Sequence, residues 1–341
     1  MTHSSKIITP LLALLLPVSL QALEPLVDST PSAMAAKARQ LIDKADKDGD
    51  SKIQKSEDEK VWKKNARFDE DADGSLSLEE LAHGLNRHID SPGKKFLNVL
   101  YKKTEQGDLH LDFYFPDEDN STKKPVVVFT HGGGWATGDK SKAGEHSFNK
   151  VHRALLKEGF CVLSVGYRLI KKDGDSAMRD CVIDCKDALR FISGHQKELG
   201  IDPDRIYTFG DSAGGHLAQM LLFSPPESLP GDAALAEYSY QTVAGVSWYG
   251  PCDFQDPQLF NHNDRANFRD RFGARIMSKG TPKEDKGARY REMSPVSYLT
   301  EKSAPLLMIQ GDKDTTIPVK QAYRMQAVSY THLTLPTKRI V

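Results

Sequence analysis

Gly210-Asp211-Ser212-Ala213-Gly214-Gly215-His216 stands between a β-prone run, Arg205-Ile206-Tyr207-Thr208-Phe209, and a helix-prone one, Leu217 to Phe223. This is G-x-S-x-G in the strand-turn-helix setting that gives the pattern its meaning. A serine hydroxyl is a weak nucleophile near neutral pH, so the chemistry needs it lifted on a sharp turn and set beside a base. Glycines at both flanks allow the strained backbone and let the helix pack close to the strand. The helix aims its first amides, that of Ala213 among them, at an oxyanion forming near Ser212.

Upstream, Pro125-Val126-Val127-Val128-Phe129-Thr130 reads as a buried strand running into His131-Gly132-Gly133-Gly134-Trp135. A glycine run after a strand leaves backbone N–H groups open to a substrate oxygen, which makes Gly133 and Gly134 oxyanion candidates alongside Ala213. Around both motifs apolar strands (Phe96 to Lys102, Leu109 to Phe115, Phe160 to Val165, Val243 to Trp248, Leu306 to Gln310) alternate with helical runs at Ser147 to Glu158 and Ala177 to His195. That alternation predicts an α/β fold with a doubly wound, mostly parallel sheet covered on both faces. Asp253 to Arg291 is long, polar and irregular, and is expected to line the substrate cleft.

Lysine and arginine total 46 against 47 for aspartate and glutamate, so bulk charge suggests neither nucleic acid nor an anionic membrane as partner. Met1 to Ala22 has Lys6, an apolar centre (Ile7 to Leu20) and a cut site after Gln21-Ala22. It reads as a secretory signal, which puts the mature protein in the periplasm or outside the cell with no membrane span. Four cysteines (161, 181, 185 and 252) form no disulfide framework and are expected as buried thiols.

Residues 32–89 read as a small all-α domain, an EF-hand pair. Asp46, Asp48, Asp50, Lys52 (through its carbonyl) and Glu57 have the spacing of a calcium loop. Asp69, Asp71, Asp73, Ser75 (again through its carbonyl) and Glu80 repeat it, with Gly74 at the turn where the first loop has Ser51. A left-handed backbone costs a non-glycine residue about 1 kcal/mol, so the first loop is expected to bind Ca²⁺ more weakly. Residues 90–95 read as a linker, and 96–327 as the α/β domain.

From about Phe96 to Val328 the chain resembles the α/β-hydrolase superfamily, and within it the secreted carboxylesterases that remove acetyl and feruloyl groups from xylan. The likeness rests on His131 to Trp135 with Gly138-Asp139-Lys140, Gly166-Tyr167-Arg168-Leu169, Asp184 to Phe191, Gly200 to Ile206, Gly210 to His216, Ser294 to Tyr298, and Gly311-Asp312-Lys313-Asp314 with Ile317-Pro318. It implies Ser212 as nucleophile and Asp314 as the acid that orients the base, with Asp312 as runner-up; either could instead cap the following helix. The substrate would be a small-molecule or polysaccharide ester, with no organic cofactor. An amide- or peptide-cleaving enzyme, or an inert calcium-binding scaffold of the same fold, remain alternatives.

The family's base histidine should follow the acid by roughly thirty residues. The only histidine after Asp314 is His332, within a stretch (Val328 to Thr337) that resembles the translation of a transposase-type sequencing adapter. Residues 328–341 are therefore expected to be foreign to the fold, the hydrolase domain incomplete at its C-terminus, and the base to lie beyond Ala327 in the natural gene product.

Overall fold

The valine-rich run Lys124–Thr130 forms the strand at the centre of the main sheet, and every residue of it except Pro125 is buried. Strands covered on both faces read as unbroken apolar runs, and this one does. The computed structural model describes residues 31–332 apart from 70, 86–87, 92, 117–122, 172–173, 262–271 and 278–279. The expected signal at 1–22 lies outside the described residues.

In chain order the first elements are α1 (Pro31–Ala45), β1 (Lys52–Gln54), α2 (Glu59–Asn65), β2 (Ser75–Ser77) and α3 (Leu78–Leu85). The sheet region follows with β3 (Lys95–Thr104), β4 (Gly107–Tyr114), β5 (Lys124–Thr130), α4 (His146–Lys157), β6 (Cys161–Val165), α5 (Met178–Gly194) and α6 (Gln196–Leu199). Then come β7 (Ile201–Asp211), α7 (Ala213–Phe223), β8 (Thr242–Trp248), α8 (Gly273–Ile276), α9 (Lys286–Glu292), β9 (Leu306–Ile309) and α10 (Lys320–His332).

The main sheet runs β3-β4-β6-β5-β7-β8-β9. Pairing is antiparallel from β3 to β6 and parallel from β6 to β9. Thr130 pairs with Gly210, so the glycine loop and the serine turn leave adjacent strands side by side. Ligands of open parallel sheets bind outside the carboxyl ends of the strands, where these two loops emerge.

Successive residues of β5 face opposite layers. Val126 and Val128 pack with Leu189, Leu217 and Leu221 of α5 and α7, whereas Val127 and Phe129 pack with Phe148 and Leu156 of α4. Beyond α4, Val246, Trp248, Leu307 and Ile309 line an apolar groove of about 330 Å³, to which none of the candidate site residues contributes. All four cysteines are buried free thiols, as expected.

The N-terminal helices enclose their own core of Ala38, Ile42, Ile53, Phe68, Leu76 and Leu81. This unit is not wholly helical, because β1 and β2 pair antiparallel with Ile53 opposite Leu76. The junction between this unit and the sheet region is packed. Ile89 is fully buried within the α4-side core beside Tyr114 and Phe129. Asp90 N–H donates to Asn149 Oδ1 (3.1 Å), and Lys94 carbonyl accepts from Phe115 N–H (2.9 Å). One isoleucine in a polar run found an apolar wall within reach, and burying it contributes about 2 kcal/mol.

At the other end α10 runs on to His332, with Val328 packed beside the cluster of Met325, Leu222 and Phe223 and Ser329 buried. Once Met325 and Gln321 anchor the helix, each added residue gains a hydrogen bond at little further entropy.

Candidate active site

β7 ends at Asp211 and α7 begins at Ala213, so Ser212 alone makes the turn, at φ 54° and ψ −119°. A non-glycine residue rarely adopts this backbone, and such strain persists only where the surroundings over-determine it. Here Ser212 N–H donates to Trp248 O (2.8 Å) and Ser212 O accepts from His216 N–H (3.0 Å). A Cβ on Gly210 would lie 2.2 Å from Gly214 O, and one on Gly214 would lie 1.9 Å from Thr130 O. The flanking glycines are thus required by contact as well as by the bend.

Across from the turn, Gly133, Gly134 and Trp135 all have positive φ (125°, 58° and 61°). Thr137 holds this loop through N–H and Oγ1 contacts to Gly133 O, each 3.1 Å. A second strap was missed at the sequence level. Asp211, next to Ser212, accepts from Gly132 N–H through Oδ1 (2.8 Å) and from Lys142 Nζ through Oδ2 (2.7 Å). The available signal was its place between two motifs whose strands pair.

Asp314 lies in the turn after β9. Its Oδ1 accepts from Thr316 N–H (2.7 Å) and Ile317 N–H (2.9 Å), and its Oδ2 from Gln310 Nε2 (3.1 Å). Burial, together with the charges of Asp211 and Asp314, pushes the Tyr249 phenol up to about 12, so Tyr249 senses both carboxylates. Asp312 is exposed. Among the described residues no histidine ring hydrogen-bonds Ser212 or Asp314: the His131 ring bonds Gly132 O and Tyr167, and the His216 ring bonds Trp135 and Met293.

Part of the irregular segment does reach this region. Phe272 meets Trp135 edge to face at 5.2 Å between centroids. The Arg275 guanidinium stands over Gly134, with Nη1 2.8 Å from where a Cβ would lie. Residues 262–271, with His262, lie outside the described residues.

In the N-terminal unit the carboxylates of Asp46, Asp48 and Asp50 bring ligand atoms within 4.8 Å of one another, as do those of Asp69, Asp71 and Asp73. Asp69 Oδ1 is buried with no hydrogen-bond partner, which a cation would satisfy. Such all-oxygen sets suit a hard cation. Glu57 turns its carboxylate onto the N–H groups of Lys47 (2.7 Å) and Gln54 (2.7 Å), and Glu80 accepts from Ser77 N–H (2.8 Å). Lys52 Nζ bridges to Asp73 (3.0 Å), joining the two loops, and the Ser75 hydroxyl and N–H, with Lys52, hold Asp73 down to about 2. Ser51 sits at φ 67° and Gly74 at φ 83°, the contrast expected at the turn position.

A strained serine after a central parallel strand, facing a glycine loop on the neighbouring strand, defines an α/β-hydrolase. Residues 111–328 match the model of the BD-FAE family, and the chain belongs to that family. It is 32% identical over 216 residues to the probable carboxylic ester hydrolase LipM of Mycobacterium tuberculosis, covering 62% of this chain and 47% of that protein. It is 31% identical over 220 residues to esterase LipC of the same organism, covering 62% and 51%. The chain therefore spans about half the length of these curated relatives. Thermogutta terrifontis esterase 2 phosphonylated by sarin shares the fold with a TM-score of 0.56 at 24% identity, over 72% of this chain and 84% of that one. A truncated form of carbohydrate esterase from gut microbiota gives 0.58 at 22%, over 72% and 88%.

Proposed function

We propose that this protein is an exported serine carboxylesterase carrying a calcium-binding EF-hand pair. The observation that carries the reading is Ser212 held at φ 54° one residue from the carboxylate that straps the glycine loop. Ser212 Oγ attacks the ester carbonyl while its proton passes to an imidazole. The amides of Gly133, Gly134 and Ala213 hold the tetrahedral oxyanion, and collapse expels the alcohol with that proton. Water then attacks the acyl-serine by the same route and releases the acid. Asp314 orients the imidazole and stabilises its charged form. The base is supplied C-terminal to Asp314. Acetyl or feruloyl esters of plant-type polysaccharide fit the resemblance, and names such as carboxylic ester hydrolase and carbohydrate esterase among the relatives support an ester substrate.

With the natural C-terminus present, a short-chain aryl ester should be hydrolysed and Ser212→Ala should lower turnover by about 10⁴-fold or more. Turnover unchanged in the variant would refute the assignment. Matched ester and anilide substrates separate an esterase from an amidase.

For calcium, Asp46, Asp48, Asp50, Glu57 and the Lys52 carbonyl would hold one ion, and Asp69, Asp71, Asp73, Glu80 and the Ser75 carbonyl another. The ion would neutralise converging carboxylates and tie the helices to their loops. Chelation should lower the melting temperature and expose Asp46 to Glu80 to protease. Ser51→Gly, by relieving about 1 kcal/mol of left-handed strain, should tighten the first site severalfold by calcium titration. Melting and cleavage indifferent to chelator would count against metal binding.

A further inference from the structure

Trp135 closes the glycine loop and His216 lies in the first turn of α7; the two are 1% and 0% exposed. Trp135 Nε1–H donates to His216 Nδ1 (3.3 Å), while His216 Nε2 lies 2.8 Å from Met293 O. An indole N–H can only donate and a carbonyl can only accept. An imidazole bonded to both has one arrangement: Nδ1 bare, Nε2 protonated, ring neutral. A second proton on Nδ1 would set two donors face to face. Phe254 packs edge-on against both rings, at 6.1 Å from Trp135 and 5.3 Å from His216.

The two oxyanion glycines sit between fixed points. Asp211 holds Gly132 on one side, and Trp135 is held on the other, by its indole through His216 and by its carbonyl through Ile170 N–H (2.8 Å). His216 is also tied directly to the serine, its N–H donating to Ser212 O. We infer that His216 is a positioning residue for the oxyanion loop, fixing the Gly133 and Gly134 amides relative to Ser212 through the Trp135 indole. The inference rests on the reading of those amides as oxyanion donors. Oxyanion stabilisation depends on donors already in place before charge develops, and a misplacement of about 1 Å can lower the rate on the order of 10²-fold.

The test compares Trp135→Phe, which keeps a ring and removes the N–H, with His216→Phe and His216→Gln. In ¹H–¹⁵N spectra the Trp135 indole signal, assigned by its loss in Trp135→Phe, should move upfield and exchange faster in His216→Phe. The Gly133 and Gly134 amides should shift in both phenylalanine variants. On an aryl acetate, kcat should fall about 10²-fold with KM within about threefold, the double variant should be no worse than the worse single one, and His216→Gln should recover about tenfold. Indole and glycine amide signals unmoved in a folded His216→Phe would overturn the proposal. If His216→Phe does not fold, Trp135→Phe reads the same glycine amides. A parent that has its base histidine in place and hydrolyses no ester while these signals move as described refutes the esterase reading and leaves the positioning contact standing.

Discussion

Gly214→Ala should destabilise the protein by about 3 kcal/mol or more, the upper end of what overpacking costs. A Cβ at Gly214 would stand 1.9 Å from Thr130 O, 2.6 Å from Thr130 C and 2.7 Å from His131 C. All three are backbone atoms, so no side-chain rotation relieves the clash. Either α7 backs away from β5 or the end of β5 moves, and the glycine loop starts at that end. Stability and loop geometry should therefore fail together, seen as a lower denaturation midpoint with altered near-ultraviolet signal from buried Trp135. The control is Gly287→Ala in α9, where a Cβ meets nothing within 4 Å. There alanine should be neutral or stabilise by up to about 1 kcal/mol, because glycine is the poorer helix former. Equal effects at the two glycines would remove the contact argument.

That contrast marks what could be read from the chain and what could not. The two glycine motifs, the strand before each and the alternation around them carry local signals, and β5, α4, β6, α5, β7, α7, β8 and β9 all form where those signals lie. Both oxyanion glycines and Ser212 come out on neighbouring strands because β5 pairs with β7. The pairing of Asp211 with Gly132 and of Trp135 with His216 had no such signal. Each joins residues some 80 positions apart, and nothing in either segment alone names its partner. The burial of Ile89 had no local signal either: its neighbours Asp90, Ser91 and Gly93 are polar or small, and only the apolar surface of α4 and β5 makes burial favourable. That Val328 to His332 extend α10 says nothing of their origin, because a helix already anchored upstream accepts almost any residue that is neither proline nor glycine.

Between pH 6.5 and pH 4 the protein should lose stability through three buried histidines. Burial holds His131, His152 and His216 down to about 4, whereas in the unfolded chain each titrates near 6.5. The unfolded state therefore binds more protons throughout this window. Stability rises with pH across it and is lost as pH falls, with the loss complete below the folded value. Each ring contributes on the order of 3 kcal/mol, and three together rival the whole stability of an ordinary domain. His152 gives the cleanest test because it lies on the α4 side of the sheet, away from the serine. Its Nδ1–H donates to Ala143 O (2.8 Å), its Nε2 is buried without a partner, and Phe129 and Phe209 pack edge-on against it. His152→Phe keeps the ring volume, removes the orphaned nitrogen and cannot take a proton. Urea unfolding at pH 7, 5.5 and 4.5 should show a pH slope reduced by about a third relative to the parent. Parallel slopes would mean that His152 does not resist protonation in the fold, and that the acid sensitivity arises elsewhere.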